Sequence, residues 1–190
     1  MDFILTSEEK TLLLSTAREV IASSLERRAP RLAKPEGTLR RNCGAFVTLH
    51  SRNPDSGVRN LRGCIGHIVA RHPLFETVAQ MAYAAAFEDP RFPPMTREDW
   101  ALTDIEISAL SPLWEIQDVT EIELGVHGIY ISRGFSSGLL LPQVATEQGW
   151  DRETFLTHGC YKAGLPGTLW KDKDTRIEIF SAIVFGELND

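Results

Sequence analysis

The chain is 190 residues long, 43% hydrophobic and carries a net charge of −6 at pH 7, which suits one domain or a domain with a smaller lobe and has the wrong sign for general nucleic-acid affinity. No apolar run approaches the ~18 residues of a membrane span, and the start, MDFILTSEEKTLLL, has no basic leader, so the expectation is a soluble, cytoplasmic protein with no membrane role. Cys43, Cys64 and Cys160 are spaced for neither a zinc site nor a disulfide framework, and no phosphate loop or dinucleotide fingerprint occurs, so neither a metal nor a cofactor is expected.

Thr6 opens a T-x-x-E capping box with Glu9, and Leu13, Ala17, Val20 and Ile21 recur on one face, which predicts an amphipathic helix over 7–28. Residues 28–41 hold two prolines and a glycine without apolar period and read as a connection. From Arg27 to Arg62 the only carboxylates are Glu36 and Asp55 among many arginines; this basic segment is either a solvated linker and loop or an anion-attracting rim. GAFVTLH at 44–50 and LRGCIGHIV at 61–69 flank turn signals from Asn53 to Gly57 and predict an antiparallel hairpin. Pro73 suits the first turn of a helix that runs to about Phe87, where EDPRFPPM breaks it. Thr96 and Asp99 can cap a short turn. TDIEISALS alternates as a half-buried strand, two short strands follow around 129–132 and 139–141 with Gly134 and Gly138 as turn glycines, and Asp151 caps a helix that Gly164 ends. The closing strand becomes apolar on both faces at 182–185, as a central strand would. Strands grouped as hairpins with helices between them favour an α+β fold with antiparallel sheet.

The chemistry concentrates in NLRGCIGHI, residues 60–68. Strict alternation puts Arg62, Cys64 and Gly66 on one face, and Leu61, Gly63, Ile65 and His67 on the other. An arginine beside a thiol favours the thiolate, and Gly66 leaves room for something to approach the sulfur. The competing reading is a small buried cysteine in a strand whose glycines permit close packing. His67 faces away from Cys64, so a Cys–His pair requires a bulge at Gly66 or a histidine from His50, His72, His127 or His158. EDPRF, residues 88–92, either braces the loop after its helix or offers Glu88 or Asp89 as a general acid–base.

LRGCIG at 61–66 is, letter for letter, the hexapeptide of the AMMECR family, whose prokaryotic members are called AmmeMemoRadiSam system protein A. The resemblance continues through GAFVTLH, AAFEDPRFPP, IEISALSP, GLLLPQVATEQGWD and CYKAGL to the closing strand. It implies an α+β fold of two unequal lobes, each with a small antiparallel sheet: a larger one from 1–111 with 173–190, a smaller one from 112–172, and a cleft between them toward which the hexapeptide turns. It also implies association with Memo-like and radical SAM proteins. The chain lacks the CxxxCxxC run of the iron–sulfur component itself.

Three functions follow as expectations. The first is a ligand-handling cleft around the hexapeptide strand, with Cys64 as nucleophile, Glu88 or a histidine as proton carrier, and Arg62, Gly63, Gly66, His67, Asp89 and Arg91 as ligand contacts. The second is a binding or adaptor module without chemistry of its own. Nucleic-acid binding through the basic segment ranks last, because the remaining body is acidic. The residues leave catalysis and recognition both open.

Overall fold

The computed structural model describes residues 3–52, 57–69 and 71–188; the turn signals read at 53–56 lie outside them. The fold is α+β with antiparallel sheet, and the chain divides into two compact units, residues 1–110 with 183–190 and residues 111–182.

In the first unit α1 (Ser7–Glu26) begins at the capping box: the Thr6 hydroxyl accepts the Glu9 N–H at 3.2 Å, and the Glu9 carboxylate accepts the Thr6 N–H at 3.0 Å. It stops two residues before the predicted end, where Arg27 turns left-handed at φ 58°. Strands β1 (Ala45–Arg52) and β2 (Arg59–His67) form the predicted hairpin. Helix α2 (Leu74–Phe87) takes Pro73 as its cap, and the short α3 (Arg97–Ala101) carries a second capping box from Thr96 and Asp99. Strand β3 (Thr103–Leu110) pairs β1 on the side opposite β2, so β2 is an edge strand.

Period-two alternation turns Ala45, Val47 and Leu49 of β1 inward, where they meet Ile105, Ile107 and Ala109 of β3 and the apolar stripes of α1 and α2 in one core. The other face of β1, Phe46, Thr48 and His50, stays half-buried.

The second unit holds β4 (Trp114–Glu115), β5 (His127–Arg133), β6 (Ser136–Leu140), α4 (Pro142–Glu147), α5 (Arg152–Lys162) and the first part of β7 (Arg176–Gly186). Helix α5, capped by Asp151, presses Phe155, Leu156 and Cys160 on Ile129, Ile131, Ile177 and Ile179. Residues 173–182, which the family resemblance assigns to the larger lobe, fall in this unit, because Arg176 to Ser181 pair with β5. Gly134 is a turn glycine, at φ 58°. Gly138 is not: it lies inside β6, and a Cβ there would stand 2.3 Å from the Ala163 backbone nitrogen, so it lets the α5 end approach the strand. Val184, expected to be covered on both faces of its strand, is 46% exposed.

Candidate functional site

The hexapeptide occupies most of β2, and its register against β1 is interrupted. Leu49 pairs with Gly63 and His50 with Leu61, so Arg62 is an extra residue with no partner on β1. Such a bulge re-aims a side chain. Arg62 is buried, and its guanidinium donates to the Pro93 carbonyl at 2.9 Å and the Asp99 carboxylate at 3.0 Å. That pairing holds the Asp99 carboxyl below the usual carboxylate range. The expectation that Arg62 sits beside the Cys64 thiol is therefore corrected: the bulge falls at Arg62 itself, not at Gly66, and commits its charge to Asp99.

The guanidinium at Cys64 is that of Arg91. Asp89, 4% exposed, accepts the Cys64 N–H on Oδ2 at 2.8 Å, and Arg91 donates Nη2 to the Cys64 carbonyl at 3.1 Å. Arg91 also donates Nε and Nη2 to Asp89 at 2.9 and 2.7 Å. The ion pair thus satisfies both edge groups of Cys64, as a neighbouring strand would, and closes the exposed edge of β2. Hydrogen bonding from Arg91 holds the Asp89 carboxyl far below its ordinary value, with the Cys64 N–H adding to the effect. EDPRF is a brace in this geometry. Glu88 is exposed at the end of α2, and among the described residues its carboxylate makes no hydrogen bond or ion pair.

The thiol faces the opposite way from the core. Cys64 pairs with Thr48, whose hydroxyl donates to the sulfur at 3.3 Å, and Thr48 pairs in turn with Glu106 of β3. Cys64 is half-buried, while Cys43 and Cys160 are sealed; burial pushes the Cys43 thiol up to about 11 and raises that of Cys160.

The glycines do not keep a hollow open. A Cβ on Gly63 would lie 2.1 Å from the Ala85 carbonyl oxygen of α2, and one on Gly66 would lie 2.2 Å from the Phe46 ring. Both are sites of close packing, so the proposed room beside the sulfur at Gly66 is filled by Phe46. His67, paired with Ala45, is exposed at the end of β2 and points away from the Cys64 face. Among the described residues no histidine bonds the sulfur, and no group of three or more acidic, histidine or cysteine side chains is placed to hold a metal ion.

Thr48 and Glu106 were not singled out by sequence reasoning, nor was the pairing of His50 with Asp104 one row further along the same face. The signal was present. Alternation in GAFVTLH and TDIEISALS puts these polar residues opposite the apolar ones, and only the hairpin register was needed to align them with Cys64.

A family model described as AMMECR1 matches residues 14–185. The protein MK0488 of Methanopyrus kandleri is 43% identical over 192 residues, spanning 96% of this chain and 90% of that protein. The protein PAE0745 of Pyrobaculum aerophilum is 42% identical over 191 residues, spanning 95% and 87%. The crystal structure of the uncharacterized protein PH0010 from Pyrococcus horikoshii superposes with a TM-score of 0.81 at 36% identity, covering 98% of this chain and 95% of that one.

Proposed function

The chain belongs to the AMMECR1 family, and on that premise we propose that it handles a ligand on the outer face of its first unit, over the row Cys64, Thr48 and Glu106. The observation that carries this reading is the treatment of Cys64. Its peptide is clamped at the sheet edge by Asp89 and Arg91 while its thiol, on a half-buried residue, turns to the Thr48 hydroxyl on the face away from the core. Rigid placement of one side chain on a face that the core does not use is what a binding site needs and what packing does not.

The geometry favours recognition over nucleophilic catalysis. The hydroxyl of Thr48 is the only group hydrogen-bonded to the sulfur among the described residues, and a hydroxyl is no general base. A thermal-shift screen of small metabolites against the full chain tests the proposal. Ligands that stabilise the wild type should lose their effect in Cys64→Ser and Thr48→Val variants; stabilisation that survives both substitutions places the ligand elsewhere.

A second reading, an adaptor that meets Memo-like and radical SAM proteins, would use Phe135, which stands fully exposed at the β5–β6 turn. Capture of such partners should then fall with Phe135→Ser and be indifferent to Cys64→Ser.

A further inference from the structure

Beyond Thr48, the outer face of the first unit gathers His50, Arg52 and Arg59 around the buried carboxylate of Asp104. Arg52 of β1 and Arg59 of β2 are directly paired across the hairpin, an arrangement that costs stability when like charges lack a counter-charge. Among the described residues one carboxylate serves them both. Asp104, 1% exposed at the start of β3, takes Arg59 on Oδ2; its Oδ1 is buried without a hydrogen bond and faces the Arg52 Nε at 3.7 Å. His50, paired with Asp104, lies against the same groups: its Nδ1 is 3.0 Å from Arg59 Nη2 and 3.8 Å from Asp104 Oδ2.

Among the described residues two guanidiniums thus share one carboxylate. The Arg52 side chain is 45% exposed, and among the described residues its guanidinium makes no hydrogen bond. A buried acceptor with no donor costs free energy that a native structure ordinarily avoids. A shift of roughly 0.8 Å would bring Arg52 Nε into hydrogen-bond distance of Asp104 Oδ1. The Arg52 side chain stays partly exposed with Arg59 paired beside it, and paired guanidinium forks match the oxygens of a phosphoryl group.

We propose that Arg52 and Arg59, oriented by the buried Asp104 and flanked by His50, form an oxyanion subsite for the phosphoryl group of a small anionic ligand. The inference deepens the ligand-handling reading of this face and rests on it: Thr48 and His50 are two residues apart on β1, so an anion at the arginines lies roughly 7 to 14 Å from the Cys64 row. Asp104 acts as a positioning residue, not as a ligand contact. Extended nucleic acid is a poor fit, since the chain as a whole carries −6.

Calorimetric titration of the full chain with inorganic phosphate at low ionic strength tests the site. The expected result is saturable binding at one site, weakened by about tenfold or more in Arg52→Gln and in Arg59→Gln, with acetate binding more weakly than phosphate. Arg59→Gln strips a buried carboxylate and can unfold the hairpin, whereas Arg52 is solvent-facing, so Arg52→Gln with an unchanged circular dichroism spectrum is the decisive variant. Absence of saturable binding, binding unchanged in Arg52→Gln, or tighter binding of acetate overturns the proposal. Alkylation of Cys64 separates the two readings. Phosphate that binds through Arg52, with no ligand found to depend on Cys64 or Thr48, leaves the subsite standing and removes the thiol from the ligand's reach.

Discussion

The Asp89 carboxylate holds the Cys64 amide at 2.8 Å, so the loop after α2 acts on the edge of β2 as a further strand would. The consequence is measurable because Asp89 serves Arg91 as well, accepting its backbone N–H, its Nε and its Nη2. Asp89→Ala leaves a strand-edge N–H and a guanidinium without their acceptor and should destabilise the fold by about 3 kcal/mol in urea unfolding. The sign with pH follows from the depressed carboxyl of Asp89. A carboxyl that titrates lower in the folded than in the unfolded chain stabilises fully above its unfolded value of about 4, and the stabilisation is lost as pH falls below that value toward the folded one. The gap between wild type and Asp89→Ala should therefore be widest near neutrality and narrow in acid; a gap constant with pH would mean that the charge of Asp89 contributes nothing.

Gly63 meets the Ala85 carbonyl oxygen, a backbone atom that cannot rotate out of the way, and a Cβ would stand 2.1 Å from it. Gly63→Ala should cost about 2 kcal/mol of stability by forcing β2 and α2 apart. A thermal melt unchanged by that substitution would show that the helix and the strand are not in close contact there.

The three thiols should separate by reactivity. Cys64 is half-exposed, while Cys43 and Cys160 are both fully buried with raised thiols, and alkylation requires both access and the thiolate. Mass spectrometry of the native chain treated with iodoacetamide should find modification at Cys64 alone, with the other two reacting only after denaturant is added. Modification of Cys43 or Cys160 under native conditions would contradict the packing of either core.

Most elements were legible because they announced themselves locally. Thr6 and Glu9 form the capping box their spacing predicts, and GAFVTLH pairs with the hexapeptide strand in the predicted hairpin. Helix α4 went unread because PQVATE follows the end of β6 with only Pro142 as a start signal. The site was legible only in part. Strict alternation mispositions Arg62, since a one-residue bulge opposite Leu49 and His50 leaves no mark in composition. The glycines drew attention to β2 as room for a ligand, but their missing side chains are filled by Ala85 and Phe46, a matter of tertiary packing that a strand's own sequence does not carry. Arg91, placed among the ligand contacts, proves to be the guanidinium bonded to the Cys64 peptide.

The end of β7 is tied down by Glu187, which takes the Arg18 guanidinium through Nε and Nη2 and also accepts the Ile105 N–H at 2.9 Å. Arg18 in turn donates to the Thr103 carbonyl at 2.9 Å and lies 4.6 Å over the Trp100 ring. One carboxylate thus joins α1, β3 and the closing segment of the first unit. The pair is bidentate and part-buried, so its coupling should exceed that of a surface ion pair. A double-mutant cycle with Arg18→Ala and Glu187→Ala separates the ion pair from the bond to Ile105, because Glu187→Ala removes both and Arg18→Ala only the first. A coupling energy of about 1 to 2 kcal/mol is expected. Additive effects would assign the anchoring of β7 to the Ile105 bond alone.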